Sequence, residues 1–178
     1  MALSNDDILN YINNKKLIIR PFEQKILTGN GVDLRLGNEI ARLIPTGSND
    51  EIFNSRNENV RKWYQIEHCH DSFIIYPREC LLCHTLEYLK LPNDLIGFCQ
   101  LRSTFARMGL LMPPTIIDAG FEGQLTIELI GSVFPIKLYI GQKIIHVTFF
   151  KLITPSTLPY KGKYLGQVKI TLPKLEEI

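Results

Sequence analysis

No run of about 20 consecutive apolar residues, the length needed to cross a bilayer as a helix, occurs in this chain. Charge of one sign is also scarce: 20 Lys and Arg stand against 18 Asp and Glu, a net of +2. The first shortage excludes a helical membrane span, so no membrane partner is expected. The second gives no electrostatic reason to expect nucleic acid as a partner. The amino end, MALSNDDILNYINNKK, sets Asp6 and Asp7 ahead of any apolar run. It lacks the basic region, greasy core and cleavage site of a secretory leader, and a cytoplasmic protein is the expectation. Four cysteines in 178 residues (Cys69, Cys80, Cys83 and Cys99) are too few for a disulfide scaffold. Neither an internal repeat nor a low-complexity tract is present.

What the chain does have is 45% hydrophobic residues in short, evenly interrupted runs. Its length fits one compact domain, residues 1–178, and the proline- and glycine-bearing stretch 155–178 reads as an arm. Ser4 can cap a short helix with Asp6 and Asp7 in its first turn and Ile8, Leu9 and Ile12 on its apolar side. Leu17–Ile19 reads as a short strand stopped by Pro21. Val32–Leu36 alternates like a half-buried strand, and Pro45–Arg61 reads as a surface loop. Ser72–Tyr76, Cys80–Leu86, Leu95–Cys99, Leu125–Ile130, Ile136–Ile140 and Ile144–Phe150 are separated by Pro, Gly, Asn or Asp. That rhythm predicts a mainly β protein, an antiparallel barrel or sandwich rather than βαβ units, with a helical turn or more at Arg102–Met108.

Cys80-Leu81-Leu82-Cys83-His84 has the spacing of covalent haem attachment, and His68-Cys69-His70 lies just upstream. Haem attachment normally requires export, for which there is no signal. Thiolates and imidazoles would suit structural zinc, but an odd separation points Cys80 and Cys83 to opposite faces of a strand. The reading is core cysteines and no protein-held zinc.

Polar residues collect where a pure core would not want them in three places. In Arg102-Ser103-Thr104-Phe105-Ala106-Arg107, guanidinium groups and hydroxyls can converge on an anion, or Ser and Thr can simply cap a helical turn. Asp118 follows Ile116-Ile117 and precedes Ala119-Gly120, a bend that would hold its carboxylate. Strict alternation puts Gln124, Thr126 and Glu128 on one strand face, opposite Leu125, Ile127 and Leu129. That face is either solvated or lines a cleft; a cleft would suit Glu128 to proton transfer.

With these pieces goes a resemblance to the deoxycytidine triphosphate deaminase and dUTPase superfamily, closer to the deaminase branch. It is carried by Ile19-Arg20-Pro21-Phe22, Val32-Asp33-Leu34-Arg35-Leu36-Gly37-Asn38, Arg102-Ser103-Thr104-Phe105-Ala106-Arg107-Met108-Gly109, Ile117-Asp118-Ala119-Gly120-Phe121-Glu122-Gly123, Gly141-Gln142-Lys143-Ile144 and the late Tyr160, Lys163-Tyr164 and Gly166-Gln167. The resemblance implies a homotrimer of distorted β-barrels with active sites between subunits. It implies that Arg102, Ser103 and Thr104 hold a triphosphate carried as its Mg2+ complex. Lys163 and Gln167 would close over the far end, and Tyr160 would cover the substrate. Asp118 would stand beside the 3′-hydroxyl, and Thr126 and Ile127 would lie in the strand that meets the pyrimidine. Glu128 would be the acid–base of deamination, assisted by Ser103 and Arg107.

The chain also departs from the pattern. Its loop before Ile117-Asp118 is about two residues short and carries Pro113-Pro114 where a polar pair is usual. Leu101 and Ile145-His146 replace a usual glycine and a usual Gly-Gln, and Val168-Lys169-Ile170 stands where a glycine of the arm is expected. The resemblance therefore supports dCTP deamination first. The alternatives are dUTP diphosphatase, a combined activity making dUMP from dCTP, and a non-catalytic nucleotide binder.

Overall fold

Apolar side chains at every second position favour strands that bury one face. The computed structural model, which describes residues 1–44, 52–56 and 58–175, is mainly β accordingly. The amino end forms helix α1 (Asn5–Asn13), closed by a capping box: Ser4 Oγ accepts from Asp7 N at 3.2 Å, and the Asp7 carboxylate accepts from Ser4 N at 3.0 Å. Then follow β1 (Ile18–Arg20), β2 (Leu27–Thr28), β3 (Gly31–Leu43), β4 (Tyr64–His68), β5 (Ser72–Ile75), β6 (Cys80–Lys90) and β7 (Leu95–Leu101). After these come α2 (Ser103–Arg107), β8 (Thr115–Ile117), β9 (Glu122–Ile130), β10 (Ile136–Tyr139) and β11 (Lys143–Lys151).

One sheet has the order β1-β6-β3-β11-β7-β8, with β2 and β4 added on β3 and β9 on β6; β5 pairs with β10 separately. Strand β3 joins the two halves of the large sheet. Its first residues pair with β11, and from Leu36 onward it pairs with β6 and β4. Leu34, Leu36, Ile40, Leu81, Leu89, Leu129, Ile144 and Phe149 are fully buried around it. No helix among the described residues is long and apolar enough to cross a membrane.

Two expectations are corrected. Val32–Leu36 is part of a 13-residue strand, and Gly31–Gly37 is buried on both faces rather than half-exposed. Polar residues at Asp33 and Arg35 are tolerated inside because each is partnered. The second concerns residues 45–61: positions 45–51 and 57 lie outside the described residues, while Val60–Trp63 forms a 3₁₀ turn leading into β4.

The most enclosed charge is Glu87, with no exposed surface. One oxygen accepts from Arg35 N at 2.7 Å and the other from Arg35 Nε at 2.6 Å; Arg35 Nη1 also pairs with Glu23. Thr85 Oγ donates to Glu87 O and accepts from Leu125 N, so the pair is tied to β9 as well. Removing one charge from such a pair strands the other in the core. Glu87→Gln is expected to lower the unfolding free energy by about 3 kcal/mol in denaturant titration; a loss below about 1 kcal/mol, the value of a surface pair, would contradict this role.

Candidate active site

Cross-strand pairing decides which side chains share a face. Glu128 lies opposite Leu82, Thr126 opposite His84, and Gln124 opposite Tyr88, so the polar face of β9 borders an apolar residue at Glu128 and polar ones at Thr126 and Gln124. Beside it, Asp118 sits at the end of β8, before the bend Ala119–Gly120. Gly120 has φ +81°, and a Cβ there would come within 2.6 Å of Pro159, so the bend and the arm need glycine. Tyr160 N donates to Ala119 O at 2.8 Å, and its ring packs against Phe121 at 5.7 Å between centroids.

These elements enclose a cleft of about 330 Å³. Asp118, Thr126, Glu128, Tyr160 and Gln167 line it, with Leu82, Ile117, Phe121 and Leu125 as apolar wall. Thr115 and Ile116 complete the β8 side; Met112 and Pro113 are not among the lining residues, so the shortened loop leaves the space open. Glu128 lines the cleft while remaining exposed in the single chain. Ile127 does not reach it: its side chain is 1% exposed and belongs to the core, so only its backbone could meet a ligand.

The arm lies closed along β9. Gln124 N donates to Gln167 O at 2.9 Å, Gln167 Nε2 to Gln124 O at 2.7 Å, and Lys169 N to Gln124 Oε1 at 2.6 Å. Gly123, at φ +147°, admits this approach, since a Cβ would meet Gln167 O at 2.9 Å. Thr171 N donates to Thr126 Oγ at 3.2 Å, and Lys169 Nζ pairs with Glu39 at 2.7 Å. Tyr164, Thr171 and Pro173 thereby line the cleft as well. The Lys163-Tyr164 motif pointed toward Tyr164; nothing in the pattern after Gln167 marked Thr171 or Pro173. Lys163 is outside the lining, with its carbonyl accepting from Lys174 Nζ at 2.6 Å.

The second predicted group stands elsewhere. Arg102, Ser103, Thr104 and Arg107 do not line this cleft. Ser103, Thr104 and Arg107 are exposed on α2, and Arg107 borders a separate hollow with Met108, Leu111, Val133 and Phe134. Within one chain the two groups are not brought together.

No cluster of three or more His, Cys, Asp and Glu side chains arranged to hold a metal occurs among the described residues. Burial first, then the nearby Glu128 charge, pushes the thiols of Cys80 and Cys83 up, which disfavours thiolates. His84 is buried; its Nδ1 faces Thr85 O at 2.9 Å and its Nε2 accepts from Glu39 N at 3.3 Å. That pairing requires a neutral ring, and burial lowers its pKa from 6.5. The unfolded chain therefore binds a proton first as pH falls, so this contribution to stability is complete above 6.5 and is lost on acidification toward the lower folded-state value. The unfolding free energies of wild type and His84→Gln should accordingly converge between about pH 7.5 and pH 5; a difference that stays constant or widens would contradict a neutral buried imidazole.

Residues 2–152 match the family described as dCTP deaminase-like. A protein of Sulfolobus islandicus rod-shaped virus 1, named a probable deoxyuridine 5'-triphosphate nucleotidohydrolase, is 51% identical over 174 residues, covering 98% of this chain and 99% of its own. A dCTP deaminase of Acidianus ambivalens is 49% identical over 176 residues, covering 99% of both chains. Among solved structures, the 2'-deoxycytidine 5'-triphosphate deaminase from Agrobacterium tumefaciens superposes with a TM-score of 0.67 at 18% identity. That match covers 83% of this chain and 46% of the other, so it shows a shared fold over under half of the longer protein.

Proposed function

Because the chain belongs to the dCTP deaminase-like family, we propose that it hydrolyses dCTP to dUTP and ammonia, with Glu128 as the group that moves protons. The observation that carries this reading is the placing of Glu128 and Asp118 on different elements but in one cleft with apolar walls. Two carboxylates lining one cleft suit a pyrimidine on one side and a sugar hydroxyl on the other. Glu128 takes a proton from water, and the oxygen adds to C4 while the electron pair of the ring double bond moves to N3, which receives that proton. Glu128 then carries the remaining hydroxyl proton to the exocyclic amine. The C4–N bond breaks, ammonia leaves, and a C4 carbonyl remains. Asp118 accepts the deoxyribose 3′-hydroxyl, and Thr126 and the Ile127 backbone meet the base. Tyr160 and Gln167 cover the nucleotide from the arm, with Lys163 toward its distal end.

The triphosphate, arriving with Mg2+ as part of the substrate, is assigned to Arg102, Ser103 and Thr104, with Arg107 and Ser103 turned toward the water and Glu128. Since this group is remote from the cleft in one chain, the complete site is a shared one: the cleft of one copy meets α2 of another in a homotrimer of distorted barrels. Support comes from the apolar surface beside α2, where Met108 is 40%, Leu111 59%, Phe134 51% and Val133 81% exposed. Such a patch beside a charged motif fits burial against another copy.

A second reading is dUTP hydrolysis, favoured by Asp118 in the cleft and by the viral relative named for that activity. Incubation with dCTP and with dUTP, following both ammonia and pyrophosphate, separates the two. Ammonia from dCTP is the expected product, and pyrophosphate from dUTP alone would favour the second reading. Glu128→Gln should reduce ammonia release roughly 100-fold or more while dCTP still binds in calorimetry; retained deamination would remove Glu128 from the reaction.

A further inference from the structure

His146 stands where the related pattern has a glutamine, and its surroundings give it a task. Its register partners are Asp33 on one side and Gln100 on the other, so a polar row crosses β3, β11 and β7 two residues before Arg102. Asp33 is 5% exposed, and a carboxylate so enclosed needs partners at both oxygens. It has them: His146 Nδ1 lies 3.0 Å from Oδ1, and Arg102 Nε lies 3.1 Å from Oδ2. A carboxylate only accepts, so the proton of this contact sits on His146 Nδ1. The backbone makes room for the ring. A Cβ at Gly31 would come within 2.8 Å of His146 Cε1 and Nε2, and would run into the Val147 carbonyl.

Arg102 is held at further points. Its backbone N donates to Ile144 O at 2.9 Å, and its Nη1 to Lys143 O at 3.2 Å. Nε and Nη1 are thus engaged, while Nη2 has no partner among the described residues and the side chain stays 37% exposed. A long arginine left free would lose considerable rotamer entropy on gripping an anion; one already aimed loses far less.

We propose that Asp33 and His146 are positioning residues for triphosphate binding: His146 orients the Asp33 carboxylate, and that carboxylate aims the Arg102 guanidinium at the phosphoryl oxygens. This rests on the assignment of Arg102 to the triphosphate. Neither Asp33 nor His146 need touch the nucleotide. Their effect passes through Arg102, which distinguishes them from residues that merely keep the sheet intact.

Calorimetric titration of dCTP, dUTP and deoxycytidine into the full-length protein tests this. His146→Ala is expected to weaken both triphosphates about tenfold and to leave the nucleoside unchanged. His146→Asn, whose amide N–H falls near the position of Nδ1–H, should recover most of the loss. In an Arg102→Ala background, His146→Ala should add nothing, because the effect it transmits is already gone. Triphosphate affinity unchanged in His146→Ala, equal losses for triphosphate and nucleoside, or additive losses in the double variant would each overturn the proposal. If His146→Ala fails to fold, His146→Gln replaces it, and its affinity must fall below that of His146→Asn. A wild-type protein that binds the nucleoside but neither triphosphate would overturn the Arg102 assignment itself, and this inference with it.

Discussion

Buried charge on β3 is the constraint from which the rest of the architecture follows. Arg35 and Asp33 are two residues apart on a strand that is covered on both faces, and neither can stay there unpaired. Arg35 takes its partner from β6 through Glu87, and Asp33 takes one from β11 through His146. A one-residue slip of either neighbour would turn these partners to the opposite face. The pairs therefore fix the registers of β6 and β11 against β3. Through them they fix β9, which carries Glu128, and β7, which leads into Arg102. Hydrophobic burial supplies the bulk of the stability and itself resists a one-residue slip; the enclosed Arg35–Glu87 pair and the contacts of Asp33 with Arg102 and His146 reinforce it.

With the strands registered in this way, the two groups of polar residues do not share one cleft within a single chain. Strand β9 lies beyond β6 on one side of β3, and β7 lies beyond β11 on the other. Strand β8, paired beyond β7, nonetheless brings Asp118 to the cleft that Glu128 lines, whereas Arg102, at the end of β7, does not line it. A chain built this way presents a cleft with two carboxylates at one place and a fixed arginine at another. The proposed function needs both, which is why it includes another copy. The arm adds a third condition: Thr126, which the proposed function sets against the base, is bonded to Thr171 in the single chain. Under that proposal, a nucleotide entering beneath the arm displaces this contact.

Much of this was legible before any coordinates, for reasons that can be stated residue by residue. Ser72–Tyr76 and Ile136–Ile140 read correctly to within a residue because each is a short apolar run closed sharply, by Asp71 and Pro77 and by Pro135 and Gly141. Gln124, Thr126 and Glu128 fell on one face because period two survives any tertiary context. Strand β3 was read too short since Asn38, Glu39 and Arg42 break the apolar alternation; each is satisfied by partners distant in sequence. Strand β4 was missed because Tyr64–His68 is an edge strand with mostly exposed side chains, and β8 because Pro113-Pro114 masks the three residues that follow. The resemblance to dCTP deaminases, assembled from short motifs, agrees with the family match. The separation of Arg102 from Glu128 could not be read at all, because it depends on how the strands pair and curl in space and not on any local pattern.

The claim on which most depends is that the cleft of one copy is completed by α2 of another, and subunit complementation addresses it directly. Glu128→Gln and Arg102→Ala proteins, each inactive toward dCTP alone, are unfolded together, refolded as a mixture and assayed for ammonia release. If the site is shared, some interfaces in the mixed assemblies join an intact Glu128 to an intact Arg102, and deamination returns. Should the mixture remain as inactive as its parents while forming mixed oligomers, both residues would have to act within a single chain, and the shared site would be wrong.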